Sequence, residues 1–245
     1  MELKRFFVDK SNLIGDTITL SDAEHNHLSN VLRLKVGTSC LVVMGDGYDY
    51  ECEIIEISKK SSTLRVLSKV ENIYDPQVKV TFYQGILKGD NMPLVVQKLN
   101  ELGISRLVPI TSKYTVALGS KNLVSKLQST ANQSVKQCRR STPIHIEDIA
   151  SIDSIVNDFD QYDAVILCYE RENSTTMQSV ISGLNKPQNI AVVIGSEGGF
   201  DESEVDMLVN HGAISITMGR RILRAETASI AMASALMYSV GEWNI

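Results

Sequence analysis

Cysteine is scarce, with four in 245 residues, at Cys40, Cys52, Cys138 and Cys168. None stands in a C-x-x-C pair or has a histidine at metal-ligand spacing, which excludes zinc-ribbon and small disulfide-scaffold classes and predicts free core thiols with no metal. Low-complexity stretches are missing too. So is an apolar run able to span a bilayer, because the longest uncharged stretch near the C-terminus covers only residues 227–240. The start, MELKRFFVDK, has no apolar signal-peptide core, and a cytoplasmic location is the expectation. The phosphate fingerprints G-x-G-x-x-G and G-x-x-x-x-G-K-[ST] are absent as well, which disfavours nicotinamide and nucleoside-triphosphate sites.

Carboxylates are absent where cations collect. The formal net charge of -5 by itself counts against a nucleic-acid partner. Yet residues 102–146 contain no Asp or Glu, while Arg106, Lys113, Lys121, Lys126, Lys136, Arg139 and Arg140 all fall inside. That is a local basic field. At 43% hydrophobic residues the chain has enough apolar material for a full core.

The first seventy or so residues read as a small β-rich module. Runs at 3–8, 39–44, 48–57 and 63–70 are separated by turn chemistry such as Gly45-Asp46-Gly47. Ser21 and Glu24, at capping-box spacing, predict one helix running to about Leu32. The pattern breaks before Pro76, which places a boundary between a domain over 1–72 and one over 73–245. Beyond it strands and helices alternate: strands near 78–86, 106–110, 163–168, 190–195 and 213–218; helices near 91–103, 121–140, 175–182, 201–210 and 227–238. Such alternation implies crossover connections and a mainly parallel sheet, hence an α/β fold.

Ligands of parallel sheets gather at the carboxyl ends of strands, so the loops after Cys168, Gly195 and Met218 are where chemistry is expected. Gly195-Ser196-Glu197-Gly198-Gly199 follows a buried-strand pattern, and its glycines let backbone approach a ligand; a tight strand-to-helix connection explains them equally. The loop from Met218 to Glu226 holds Arg220, Arg221 and Arg224 around Ile222 and Leu223. Two apolar side chains among cations suit an adenine wall beside an anion grip, or else a solvated turn with a salt bridge.

I-G-S-E-G-G-F and G-R-R-I-L-R-A-E-T-A together resemble the SPOUT superfamily, in particular its 16S ribosomal RNA uridine-N3 methyltransferase family. H-L-S-N-V-L-R-L-K-V-G (27–37), L-K-G-D (87–90), Q-K-L-N-E-L-G (97–103) and Lys136-Gln137 with Arg140 extend the resemblance along the whole chain. It implies an N-terminal PUA-like β-barrel for RNA docking and a C-terminal α/β domain whose end is threaded into a trefoil knot. It further implies S-adenosyl-L-methionine as cofactor, a homodimer, and 16S ribosomal RNA within an assembled small subunit as substrate. Two positions depart from the family pattern: Ser196 stands where Pro is common, and Lys113-Tyr114 where many members have Glu-Arg.

The cofactor residues so assigned are Leu167, Cys168, Ile194, Gly195, Glu197, Gly198, Gly199, Met218, Gly219, Ile222, Leu223 and Ala228. Arg224 is the candidate for holding a uracil carbonyl oxygen. Glu226 either takes the N3 proton or forms a salt bridge that fixes Arg224. For RNA docking the candidates are Arg5, Arg33, Lys35, Lys136, Arg139 and Arg140. A transfer RNA methyltransferase and a non-catalytic RNA-binding protein are the competing readings.

Overall fold

The computed structural model describes residues 3–117 and 122–244, so Lys121 of the basic field lies outside the described residues. The chain divides into two compact units, one of residues 1–75 with 132–143 and one of residues 76–131 with 144–245. Residues 132–143, which the sequence assigns to the second domain, thus belong with the first unit.

The first unit is a curled six-stranded sheet of β1 (Arg5–Phe7), β2 (Leu13–Ile14), β3 (Thr17–Ser21), β4 (Ser39–Val43), β5 (Tyr48–Ile57) and β6 (Ser61–Glu71), in the order β1-β4-β5-β6-β3-β2. Among the described residues of this unit, only β1 and β4 run parallel. Alternation along the strands turns Phe6, Ile18, Leu20, Val42, Tyr50, Ile54 and Leu64 inward to one core. Cys40 and Cys52 face each other across β4 and β5 as free thiols, and burial pushes each up to about 12. The short β2 and β3 carry too few residues for their alternation to stand out in sequence.

The predicted helix over 21–32 takes a different form. It is α1 (Asp22–Asn26) followed by a π turn over His27–Val31. Its capping box is not formed. Ser21 Oγ donates to Asp22 instead, Asp22 has a φ of +45°, and Glu24 is taken by Lys136.

The second unit is a wholly parallel sheet among the described residues: β7 (Lys79–Gly85), β8 (Arg106–Thr111), β9 (His145–Ile146), β10 (Ala150–Ser151), β11 (Ala164–Cys168), β12 (Asn189–Ile194) and β13 (Ala213–Ile216). The path runs β10-β8-β7-β12-β11-β13, with β9 beside β8. Helices α2 (Asn91–Glu101), α4 (Ile152–Ile155), α5 (Met177–Ile181), α6 (Glu202–Asn210) and α7 (Ala225–Ser239) connect or cover the strands, and α3 (Leu123–Cys138) starts in this unit and has its residues from 132 on in the first. Burial on both faces explains the unbroken apolar run of β12: Ile190, Val192 and Ile194 enter the core with α2 and α7, Ala191 and Val193 the opposite one.

Helix α2 opens with Pro93 in its first turn and is stopped by Gly103 at a φ of +95°, as the sequence predicts. Asp201 and Glu204 form the predicted capping box at the start of α6. The basic helix α3 ends at Cys138, short of the arginines expected on it. Arg139 follows with a φ of +66°, and Arg140 turns into the first unit, only 4% exposed at its side chain, against Asp75 at 3.3 Å.

Candidate active site

Strands β11, β12 and β13 end at one edge of the parallel sheet, and the loops leaving them line a cavity of about 690 Å³. That falls within the ~300–1,000 Å³ typical of small-molecule sites. Of the residues assigned from sequence, Cys168, Ile194, Gly195, Glu197, Gly198, Gly199, Met218, Gly219, Ile222, Leu223, Arg224, Glu226 and Ala228 all line it. Leu167 does not. It is fully buried in the core beside Val193, because strand alternation turns it to the sheet face while Cys168 reaches the loop. Desolvation pushes the Cys168 thiol up to about 12, so it lines the cavity as a neutral group.

The 195–200 loop is shaped by contacts within the protein. A Cβ on Gly198 would lie 2.7 Å from Tyr114 Cβ and 2.9 Å from its carbonyl oxygen, and one on Gly199 3.1 Å from Glu170 Oε1. Gly85, at the end of β7, is tighter still, since a Cβ there would stand 2.2 Å from the Ser196 nitrogen. The glycines therefore admit neighbouring protein atoms at the positions where the sequence suggests a ligand. Glu197 likewise has an internal partner, its Oε1 accepting the Lys88 N–H at 2.9 Å.

Lys113 and Tyr114, which depart from the family pattern, meet the other end of this loop. Lys113 Nζ and the Tyr114 hydroxyl both donate to Asp201 Oδ2 at 2.7 Å. The Lys113 ammonium, then the Ser203 and Tyr114 hydroxyls, hold the Asp201 carboxyl well below the usual carboxylate range. The same bond raises Lys113 and Tyr114.

The 218–224 loop is open by contrast. Arg220, Arg221 and Arg224 are exposed, and Ile222 is 88% exposed beside them. No ion pair joins Arg224 to Glu226 among the described residues. Arg224 is the extended N-cap of α7 and Glu226 lies two residues on in its first turn, a spacing at which helical side chains do not face each other.

The cavity wall also carries one polar atom with nothing to bond. Ser196 Oγ is buried and has no hydrogen-bond partner among the described residues. An unpartnered hydroxyl, apolar Met218, Ile222 and Leu223, and the carboxylates of Glu170 and Glu226 together fit a ligand with a flat ring at one end and charged groups at the other. Tyr169 and Glu170 were within reach of the strand-end rule, as they directly follow β11. Asn91, at the start of α2, had no such signal.

In the first unit a second cavity, of about 560 Å³, brings Arg5 together with the sequence-distant Lys136 and Arg139, alongside Lys4, His27 and Tyr74. Arg5 donates to Asp49 through both terminal guanidinium nitrogens and is 8% exposed at its side chain; Lys136, paired to Glu24, is 9% exposed. The exposed Arg139 lies over the Tyr74 ring, 5.8 Å from its centroid. Arg33 and Lys35 are exposed outside this cleft, and Arg140 is buried on Asp75.

Comparison with known proteins agrees with this layout. Residues 74–237 match the model of an RNA methyltransferase domain, and residues 20–67 that of an RNA methyltransferase PUA domain. The chain is 26% identical to the ribosomal RNA small subunit methyltransferase E of Bacillus subtilis, over 96% of both chains. It is 28% identical to that of Buchnera aphidicola subsp. Schizaphis graminum, over 98% of both. Among solved structures, the ribosomal RNA small subunit methyltransferase E of Neisseria gonorrhoeae, bound to S-adenosyl methionine, superposes with a TM-score of 0.86 at 24% identity, covering 97% of this chain and 98% of that one. An α/β unit whose described strands are all parallel, in a chain that begins with a curled, PUA-like sheet, is therefore the SPOUT architecture, and the chain belongs to the RNA methyltransferase domain family.

Proposed function

We propose that this protein transfers a methyl group from S-adenosyl-L-methionine to N3 of a uridine in 16S ribosomal RNA. The observation that carries the reading is the cavity in which a glycine loop packed against protein faces an open arginine loop, inside a matched RNA methyltransferase domain. Ile194, Met218, Leu223 and Ala228 supply apolar walls for the adenosine, Ser196 an unpartnered hydroxyl, and Glu170 a carboxylate for a cationic end. When bound, the cofactor supplies an electrophilic methyl group on a sulfonium.

The uracil N3 proton, with a pKa of about 10, like that of a phenol, must leave for N3 to act as nucleophile. Arg224, exposed at the N-cap of α7, holds a uracil carbonyl oxygen and stabilises the charge that develops there. Glu226, not engaged by Arg224, is the acceptor of the N3 proton. RNA docks on the first unit through the exposed Arg33, Lys35 and Arg139, while Arg5, Lys136 and Arg140, paired to Asp49, Glu24 and Asp75, form ion pairs that shape the surface around them. The protein acts as a homodimer on the assembled small subunit. Ala231, Ala235 and Tyr238, at helical spacing on α7, form an exposed stripe of small and aromatic side chains, which supports a self-association face.

Incubation with labelled cofactor and either small subunits or free RNA, followed by mapping of the modified base, tests the reading. Label on N3 of a single uridine is the expected result, and label on neither substrate overturns it.

A further inference from the structure

The segment after β8 has no role in the chemistry above, yet it touches the cofactor wall at two places. Ser112 N–H donates to Thr115 Oγ1 at 2.8 Å and Thr115 N–H to Ser112 O at 3.0 Å, a tight turn that carries Lys113 and Tyr114 on its outer corner. From there Lys113 Nζ and Tyr114 OH converge on one oxygen of Asp201 at 2.7 Å each, while the Lys113 N–H donates to Glu204 Oε1 at 2.7 Å. Glu204 is itself buried and its second oxygen accepts the Asp201 N–H at 2.9 Å. The body of Tyr114 fills the space beside Gly198.

We infer that Lys113 and Tyr114 are positioning residues that strap the 195–200 loop into its cofactor-binding shape. Asp201 directly follows that loop, so the strap fixes its exit, as Glu197 on Lys88 N–H fixes its middle. The ends of the loop are buried at Ser196 and Phe200, whereas its crown, Glu197 and Gly198, is exposed and Gly199 has a φ of +67°, so the strap acts on the part that the core does not hold. Both strap residues are exposed and outside the cavity lining, so they act on the ligand only through the loop. The inference rests on the cofactor reading proposed above.

The test is calorimetric titration of S-adenosylmethionine and of S-adenosylhomocysteine into the full-length protein and into Lys113→Ala, Tyr114→Phe, the double variant and Lys113→Arg. The double variant is expected to bind both ligands ~10-fold more weakly. Backbone amides of residues 196–200 should exchange faster with solvent, and Lys113→Arg, which keeps the ion pair, should restore most of the affinity. Melting temperature should move by less than ~2 °C, since exposed ion pairs contribute little to global stability. Unchanged affinity and amide exchange in the double variant, beside a wild type that binds, overturns the strap alone. A fall in melting temperature with affinity intact also overturns it and assigns these residues a purely structural role. A wild type that binds neither ligand overturns the cofactor reading and the strap with it.

Discussion

The 195–200 loop is held from outside at two points, by the Lys88 N–H on Glu197 and by Lys113 and Tyr114 on Asp201, and its glycines are packed against protein. The 218–224 loop, across the same cavity, has three exposed arginines and, among the described residues, a single side-chain hydrogen bond, from Gly219 N–H to Thr217 Oγ1 at 3.1 Å. One wall is preorganised and the other keeps its donors available. That division suits a reaction with two ligands, in which a fixed cradle lowers the ordering cost of the first and unengaged cations meet the second.

The contrast can be broken most severely at Gly85. Gly85→Ala drives a methyl group into the Ser196 backbone and should destabilise the fold by more than ~3 kcal/mol, read by chemical denaturation. Arg224→Ala should leave the fold intact and lower kcat by ~10²–10³-fold. Its cofactor Kd should stay within ~2-fold, and an equal loss in both would place Arg224 on the cofactor instead.

Smaller effects sharpen the same comparison. Ile222→Ser, on a side chain 88% exposed, should weaken S-adenosylmethionine binding about 5-fold if the adenine rests on it, with no change in melting temperature. Gly219→Ala meets open space but has a φ of +97°, so it should cost about 1–2 kcal/mol through backbone strain and no more. The smallest expected effect is from pH. Asp201 has a folded pKa below its unfolded value of 3.8, so its contribution is complete above that value and is lost only as pH falls through the depressed one. Lys113 and Tyr114 are raised, so theirs are complete below their ordinary values of 10.5 and 10.0 and lost only on passing the raised ones. Cofactor affinity should thus show no strap-dependent change between about pH 5 and 9; a fall near pH 6 in wild type that the double strap variant lacks would contradict this.

What could be read in advance was what depends on neighbours in sequence. The apolar run of β12, Gly103 after α2 and the Asp201–Glu204 box each follow from local periodicity or cap chemistry, and the strand-end rule led to both loops of the cavity. What was missed or misread depends on distant partners. Ser21 and Glu24 have capping-box spacing, yet Glu24 serves Lys136, 112 positions away. Arg140 reads as a surface cation until Asp75 is seen to bury it, and Lys113 reads as one until Asp201 is seen to hold it. Charge alone cannot tell a solvated cation from a paired one.

The placement of residues 132–143 has its own consequence. Within the first unit, Arg140, Ser141 and Thr142 all bond the Asp75 carboxylate, and the Asn72 side-chain amide donates to the Arg139 carbonyl oxygen at 2.9 Å. A polypeptide cut after residue 75 would leave that carboxylate and that amide without these partners. The first unit is thus completed only after more than half the chain has been made, so it cannot be excised or exchanged as one continuous cassette.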